Sequence, residues 1–228
     1  KLRWATTIMF AGLAAVAAGA AETGGCATAH SGGDFGSCPW DKLKFGCTNP
    51  ALGVVYGTVQ RYSGSVACGN LFLEEDIGGG LNQEPMVVYP GAKPDAYYTV
   101  VMVDPDADMN GSFPFATAPG AHAPVRHWIL GNLLGSALAV GEMSGAVEVS
   151  PFHGPSPPAG SHRYGQFLFE QPSRLNFNLF PANASIVQWD YAGFVKEYSL
   201  GEPVATNWHL TLHTSGNSSA PAVQRKAP

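Results

Sequence analysis

Short apolar runs rich in β-branched and aromatic residues recur along most of the chain, and clusters of Gly and Pro separate them. Alternating or continuous apolar positions predict strands at 53–62, 86–89, 97–103, 127–132, 146–149, 164–170 and 207–212. The stretch 185–198 instead has apolar residues at helical spacing and is followed by Gly201, which predicts one late helix. Many strands and few helices predict a mainly β fold built on an antiparallel sheet.

The composition narrows the classes of function. A chain of 228 residues with 45% hydrophobic residues can bury a full core as one domain. No internal apolar run reaches the length of about 18 residues that a membrane span needs. A net charge of -5, with only 12 Lys and Arg residues, argues against a nucleic-acid partner, because a phosphate backbone selects for basic residues.

The first twenty residues have the pattern of a secretory signal peptide. Lys1 and Arg3 are cationic, residues 4–18 are apolar, and residues 18–20 read Ala-Gly-Ala, the small-x-small pattern of a cleavage site. The alternative is an uncleaved membrane anchor, which is disfavoured because the stretch is short and no basic stop-transfer cluster follows it. The sequence therefore predicts a secreted, extracellular protein with no integral membrane span after cleavage.

Four cysteines follow the predicted cleavage point, in agreement with an oxidising compartment. They are Cys26, Cys38, Cys47 and Cys68. Two disulfides are predicted, and all three pairings are open. A zinc site is the alternative, but the chain has no C-x-x-C pair. Secretion would also permit N-glycosylation at the sequons of Asn110, Asn183 and Asn217.

Composition divides the chain into four segments. The predicted signal peptide covers 1–20, and a Gly-rich, Cys-containing N-terminal extension covers 21–52. The domain is expected at 53–214. The remaining residues, 215–228, are polar and rich in Pro and Ala, and are predicted to form a disordered tail.

Three polar motifs lie at strand ends and are the candidates for chemistry. Residues 104–106 read Asp-Pro-Asp directly after the strand at 97–103, where the proline rigidifies the turn. Residues 126–127 read Arg-His, and a guanidinium beside an imidazole would suit an anion. A stiff Gly/Pro loop at 154–160 leads to His-Arg-Tyr at 162–164. Taken singly, the first motif is more often a capping turn and the second a buried core histidine.

In this order the three motifs resemble the phosphatidylethanolamine-binding protein family, which includes the Raf kinase inhibitor proteins and the plant flowering regulators. The family's D-P-D-A motif matches residues 104–107, its strand-opening histidine matches His127, and its G-x-H-R-Y motif matches residues 160–164. Residues 198–205 are similar to the family's helix end and final strand entry. The resemblance covers about 54–213.

The resemblance implies a large antiparallel sheet packed on a smaller one, peripheral helices, and a small anion-accepting pocket at one end of the sheet. The ligand-binding residues that it implies are Asp104, His127, His162 and Tyr164. The supporting residues are Asp106 and Arg163, as a salt bridge, with Gly154 and Pro157 in the pocket loop. This sequence has His122 or Pro124 where many members have an aromatic residue, and no counterpart of the C-terminal helix that borders the pocket in some members.

Three functional hypotheses follow. The favoured one is a secreted, non-catalytic protein that binds a phospholipid head group or small phosphate-type anion without a cofactor, because no nucleophile elbow, H-E-x-x-H motif or P-loop argues for turnover. The alternative is an inhibitor of an extracellular serine protease or carboxypeptidase, or another protein-interaction regulator. A metal-dependent hydrolase ranks last, because the family's pocket histidines bind anions rather than metals. Its residues would be Asp104, Asp106, His127 and His162.

Overall fold

A computed structural model describes residues 47–57, 64–74, 83–106, 124–158 and 160–213 of the chain. Several sequence predictions lie outside these residues and stay predictions. They concern the signal peptide, Cys26, Cys38, the tail, and the sequons of Asn110 and Asn217.

The described chain forms eight strands and two short helices. The strands are β1 (Gly53–Val55), β2 (Asn70–Leu73), β3 (Met86–Val88), β4 (Tyr97–Asp104), β5 (Val125–Leu134), β6 (Val147–Ser150), β7 (Ser161–Glu170) and β8 (Ala205–Leu212). The helices are α1 (Gly135–Leu138) and α2 (Tyr191–Glu197). Neither of these helices has the length and apolar character needed to cross a membrane.

The strands form two sheets, which confirms the mainly β prediction. The large sheet has six strands in the order β2-β8-β7-β4-β5-β6, and β1 pairs with β3 in a separate antiparallel sheet. Within the large sheet, β2 runs parallel to β8, whereas the other neighbours are antiparallel. The large sheet is thus antiparallel, as predicted, except at this edge. A parallel neighbour needs a long crossover, and most of the domain separates β2 from β8 in sequence.

Both faces of the large sheet are buried, which explains the continuous apolar run of β4. On one face Val100 and Trp128 pack with Val54 and Val87 of the small sheet. On the other face the aromatic side chains of β7, the 171–190 segment and α2 form a second cluster. Its ring residues are Phe167, Phe169, Phe177, Trp189, Phe194 and Tyr198. A strand with two buried faces does not show alternating polarity.

The late helix begins later than the sequence predicts. Asp190 lies at its N-cap, where the side chain accepts a hydrogen bond from the Gly193 backbone N–H at 2.8 Å. Gln188 has a φ of 57°, outside the helical region. Before Tyr191 the chain is irregular: Trp189 is buried in the second core cluster, whereas Ile186 is only half-buried.

Candidate ligand-binding site

Antiparallel pairing brings the three polar motifs to one end of the large sheet. Strand β4 ends at Asp104, and its two neighbours β5 and β7 begin at Val125 and Ser161. Because antiparallel neighbours run in opposite directions, the end of β4 lies beside the starts of both other strands. Residues separated by more than fifty positions along the chain therefore share one site.

A β-bulge at the start of β5 sets the orientation of the site histidine. Met102 pairs with Trp128 and Val103 pairs with Arg126, so His127 is the extra residue between the two pairs. Bulges of this kind redirect a side chain near the end of a sheet. Here the bulge separates the two members of the Arg-His motif.

Arg126 does not join His127 at the pocket, which corrects the expectation that the two side chains meet an anion together. Its guanidinium lies 3.7 Å from the centroid of the Phe180 ring, on the opposite face of the sheet. Its Nε donates to Ser150 Oγ at 2.8 Å, and its terminal nitrogen donates to the Ser185 carbonyl at 3.1 Å. The cation is therefore used in packing and in holding the 180–186 segment.

Asp104 is held by hydrogen bonds to both of its carboxylate oxygens. Oδ1 accepts the Asp106 backbone N–H at 2.7 Å, and Oδ2 accepts from His162 Nδ1 at 2.7 Å. The Asp104 and His162 side chains are 3% and 1% exposed. A charge-assisted bond between two buried groups fixes both in orientation.

His127 is fixed by a reciprocal pair of bonds with His153. The His127 ring nitrogen Nδ1 lies 2.7 Å from the His153 carbonyl, and the His153 N–H donates to the His127 carbonyl at 2.7 Å. A carbonyl only accepts, so Nδ1 carries the proton and Nε2 is the nitrogen left for a ligand. Burial lowers the pKa of His127, although the nearby Asp104 carboxylate partly opposes that shift. The ring is therefore neutral at neutral pH.

Tyr164 forms the layer beneath His127. Its ring meets the His127 ring edge-on, with the centroids 5.1 Å apart, and stacks on the His209 ring at 5.4 Å. Burial, and after it the negative charge of Asp104, raises the pKa of the Tyr164 hydroxyl far above its ordinary value. The phenol therefore stays protonated and can donate a hydrogen bond.

A pocket of about 320 Å³ opens above these residues. It is lined by Asp104, Val125, His127, His153, Gly154, Ser156, Pro158 and Ile186. Three of the predicted site residues line the pocket: Asp104, His127 and Gly154. His162 and Tyr164 are fully buried and are not among the lining residues. Pro157 is buried in the same loop but is not among the lining residues.

Sequence reasoning missed two parts of the pocket wall. Ser156 lies in the Gly/Pro loop at 154–160, whereas His153 directly precedes that loop, and its sequence context is typical of an exposed loop histidine. Ile186 comes from a distant segment that is joined to β5, where its carbonyl accepts the Arg126 backbone N–H at 2.8 Å. No local pattern marks that contact.

Asp106 and Arg163 form the ion pair that the sequence suggests. The Arg163 Nε lies 2.9 Å from Asp106 Oδ2, and a terminal nitrogen lies 2.6 Å from Oδ1. The Arg163 backbone N–H donates to Oδ2 at 2.8 Å. This pair joins the turn after β4 to the start of β7, directly beside Asp104 and His162.

The described cysteines form a disulfide between Cys47 and Cys68. The Cys68 backbone N–H also donates to Asn207 Oδ1 at 3.0 Å, which fastens this region to β8. Within the described ranges, no group of three or more His, Cys, Asp or Glu side chains has an arrangement that could hold a metal ion.

Comparison with known proteins identifies the family. The family model described as phosphatidylethanolamine-binding protein matches residues 62–209, which is more than half of the chain. The chain therefore belongs to the phosphatidylethanolamine-binding protein family.

Two relatives match parts of the chain. The phomoidride biosynthesis cluster protein N of Talaromyces stipitatus is 34% identical over 125 residues, which are 50% of this chain and 58% of that protein. The 26 kDa secreted antigen of Toxocara canis is 31% identical over 150 residues, which are 63% of this chain and 51% of that protein. The chain thus spans little more than half the length of each of these relatives.

A solved structure has the same fold. The carboxypeptidase Y inhibitor, crystallised in complex with its cognate proteinase, superimposes with a TM-score of 0.53 at 20% sequence identity. The match covers 77% of this chain and 94% of that one. At this level of identity the likeness concerns the fold.

Proposed function

We propose that the pocket binds a phospholipid head group or another small phosphate-bearing ligand, without chemical turnover. The observation that carries the proposal is the meeting of the buried Asp104 carboxylate and the His127 imidazole at one pocket of about 320 Å³. A pocket of this size, with few polar groups, suits a small polar ligand. The family's descriptive name is in agreement with such a ligand.

The polar groups suit a ligand that carries both charges. The Asp104 carboxylate can accept a hydrogen bond from an ammonium group. His127 Nε2 and a phosphate oxygen can share a proton in a second hydrogen bond. Gly154 has no side chain, so a ligand can approach the backbone of the pocket loop closely. We therefore expect phosphorylethanolamine, which has an ammonium and a phosphate, to bind better than inorganic phosphate.

Calorimetric titration of the oxidised protein with phosphorylethanolamine tests the proposal. His127→Ala should weaken binding at least about tenfold, the equivalent of one lost hydrogen bond to a charged group. His213→Gln is the matched control, because His213 does not line the pocket and is 31% exposed. Equal affinity of all three proteins, or no heat from the well-folded wild type with either ligand, would overturn the proposal.

Secretion is a separate part of the proposal. It is supported by the N-terminal pattern of residues 1–20 and by the relative from Toxocara canis, whose name describes a secreted antigen. After expression in a eukaryotic host, the protein in the medium should begin at Ala21. Retention of the intact residues 1–20 in a membrane fraction would contradict this.

Inhibition of an extracellular serine protease or carboxypeptidase is the second candidate. It is supported by the fold that this chain shares with a carboxypeptidase inhibitor. The test is a peptidase assay with carboxypeptidase Y at increasing concentrations of the protein. Full activity at a large molar excess would remove this candidate for that enzyme.

A further inference from the structure

The candidate pocket has no fixed positive charge among the described residues that line it. Its only permanently charged side chain there is Asp104, which is anionic. An anionic ligand therefore approaches a buried carboxylate with no Lys or Arg in the described wall to offset it.

Among the described residues, the two arginines that adjoin the site histidines in sequence are committed elsewhere. Arg163 makes a two-pronged ion pair with Asp106, so the charges of these two residues offset each other. Arg126 lies on the opposite face of the sheet, against Phe180 and Ser150. Neither guanidinium is among the groups that line the pocket.

Resting on the proposed function, we infer that a phosphate-type anion enters this pocket together with one proton, which His127 takes up at Nε2. The ring then donates from Nε2 to the anion while Nδ1 still donates to the His153 carbonyl, since both nitrogens of an imidazolium are donors. The added positive charge offsets Asp104, and the bonds that orient the ring stay in place.

Asp104 and His153 are the other groups of the described pocket wall that could take the proton. Both Asp104 oxygens already accept hydrogen bonds, from the Asp106 N–H and from His162 Nδ1, and a proton on either oxygen would compete with these bonds. The His127 ring has one nitrogen that is not used by His153. The proton is therefore assigned to the His127 imidazole, and loss of proton uptake in His127→Gln distinguishes it from His153.

Several other titratable groups surround the His127 ring. They are Asp104 on β4, His153 on the pocket loop, His162 and Tyr164 on β7, and His209 on β8 behind Tyr164. In the free protein, burial and the charges of His153 and His162 disfavour the imidazolium, whereas Asp104 and the hydrogen bond to the His153 carbonyl favour it. A bound anion adds to the effect of Asp104 and raises the pKa of His127. Binding then draws in a proton at any pH between the pKa values of the free and the occupied states.

Sulfate is the sharpest probe, because it has no titrating proton near neutral pH. Calorimetry at pH 6, 7 and 8, in buffers with different ionisation enthalpies, counts the protons taken up on binding. We expect uptake approaching one proton, and a sulfate affinity that falls about tenfold for each pH unit above the pKa of free His127. The NMR signals of the His127 imidazole should show the same change.

Two variants identify the residue that takes up the proton. His127→Gln should bind sulfate weakly with no proton uptake, whereas His213→Gln should keep both the affinity and the uptake of the wild type. Sulfate binding without proton uptake would overturn the inference. Binding of inorganic phosphate but not of sulfate, down to pH 6, would also overturn it, because the ligand would then supply the proton. Failure of sulfate, phosphate and phosphorylethanolamine to bind at any pH would instead remove the proposed function.

Discussion

Arg163 approaches Asp106 with its side chain and its backbone at once. Two guanidinium nitrogens and the backbone N–H of Arg163 all donate to the same carboxylate, at distances of 2.6 to 2.9 Å for the best three contacts. The Asp106 side chain is 3% exposed and that of Arg163 is 17% exposed. The pair therefore fixes the turn after β4 against the first residues of β7, where Asp104 and His162 meet.

Asp106→Asn should destabilise the protein strongly, because it leaves a largely buried guanidinium without its counter-charge. Breaking one partner of such a pair costs about 3 kcal/mol or more. Urea unfolding, followed by tryptophan fluorescence, measures the loss. Lys93→Met is the control, since it breaks an ion pair with Glu170 in which Lys93 is 71% exposed, and it should leave the urea midpoint unchanged. Equal midpoints for the two variants would contradict the assigned role of the Asp106 pair.

Because Cys47 and Cys68 form a disulfide, the other two cysteines can pair only with each other within the chain. If all four are oxidised, Cys26 must pair with Cys38. Mass spectrometry of peptides from the non-reduced protein should find these two links and no other. Detection of Cys47 joined to Cys26 or Cys38 would contradict this predicted pairing.

Loss of this disulfide should also lower stability, since it closes a loop with a sequence separation of 21 residues. The chain-entropy estimate for a loop of this size is about 3 kcal/mol. The double variant Cys47→Ser/Cys68→Ser, compared with Cys26→Ser/Cys38→Ser in urea unfolding, measures the effect. The first pair should unfold at a clearly lower urea concentration, because Cys47 and Cys68 are anchored near β8 through Asn207.

The sequence predicts the strands better than it predicts the pocket. The central strands are found because runs such as 97–103 are apolar throughout, and the Asp104 and His127 motifs are local. The bulge at His127 and the contribution of Ile186 depend on pairing across the sheet, which no local pattern records. Strand β2, only four residues long, and the parallel edge that it forms were missed for the same reason.

Gly131→Ala should destabilise the second core cluster. A Cβ atom at Gly131 would overlap the ring of Phe177. That ring cannot move freely, because Tyr198 lies 4.7 Å away and Phe194 6.4 Å away between ring centroids. Overpacking of this kind costs about 1 to 3 kcal/mol, measured by urea unfolding. Adding Phe177→Leu should recover part of the loss, and strictly additive effects of the two changes would argue against the contact.

Lowering the pH should reduce the free energy of unfolding, because His209 is buried in its neutral form. Burial, and after it His127, lowers the pKa of His209 to about 3. The unfolded chain binds a proton on this histidine near pH 6.5, whereas the folded chain does not until about pH 3, so the free energy of unfolding falls as the pH drops through this window. The contribution is about 2 kcal/mol between pH 6.5 and pH 5. Urea unfolding at several pH values should show a shallower decline for His209→Gln, and an unchanged decline would contradict the assignment.

Asp104→Asn should reduce the preference of the pocket for phosphorylethanolamine over inorganic phosphate. The substitution removes the only permanent charge of the described pocket wall and keeps a similar shape and one acceptor oxygen. Two like charges about 4 Å apart near a protein surface repel by about 4 kcal/mol before screening by salt. Inorganic phosphate at pH 8, where His127 of the free protein is neutral, should therefore bind at least about tenfold more tightly to the variant, which is about 1.4 kcal/mol. Phosphorylethanolamine should lose most of its advantage over phosphate, because its ammonium group no longer meets a carboxylate.

Asp190→Asn is the matched control for this prediction, because it changes the net charge by the same amount at an exposed helix cap. Asparagine is as good an N-cap residue as aspartate, so the fold should be unaffected. Calorimetry with both ligands should give wild-type affinities for this control. A fall in phosphate affinity of Asp104→Asn, in a protein that still unfolds at the wild-type urea concentration, would mean that the carboxylate acts mainly by orienting His162. The preference of the pocket between charged ligands would then not depend on the charge of Asp104.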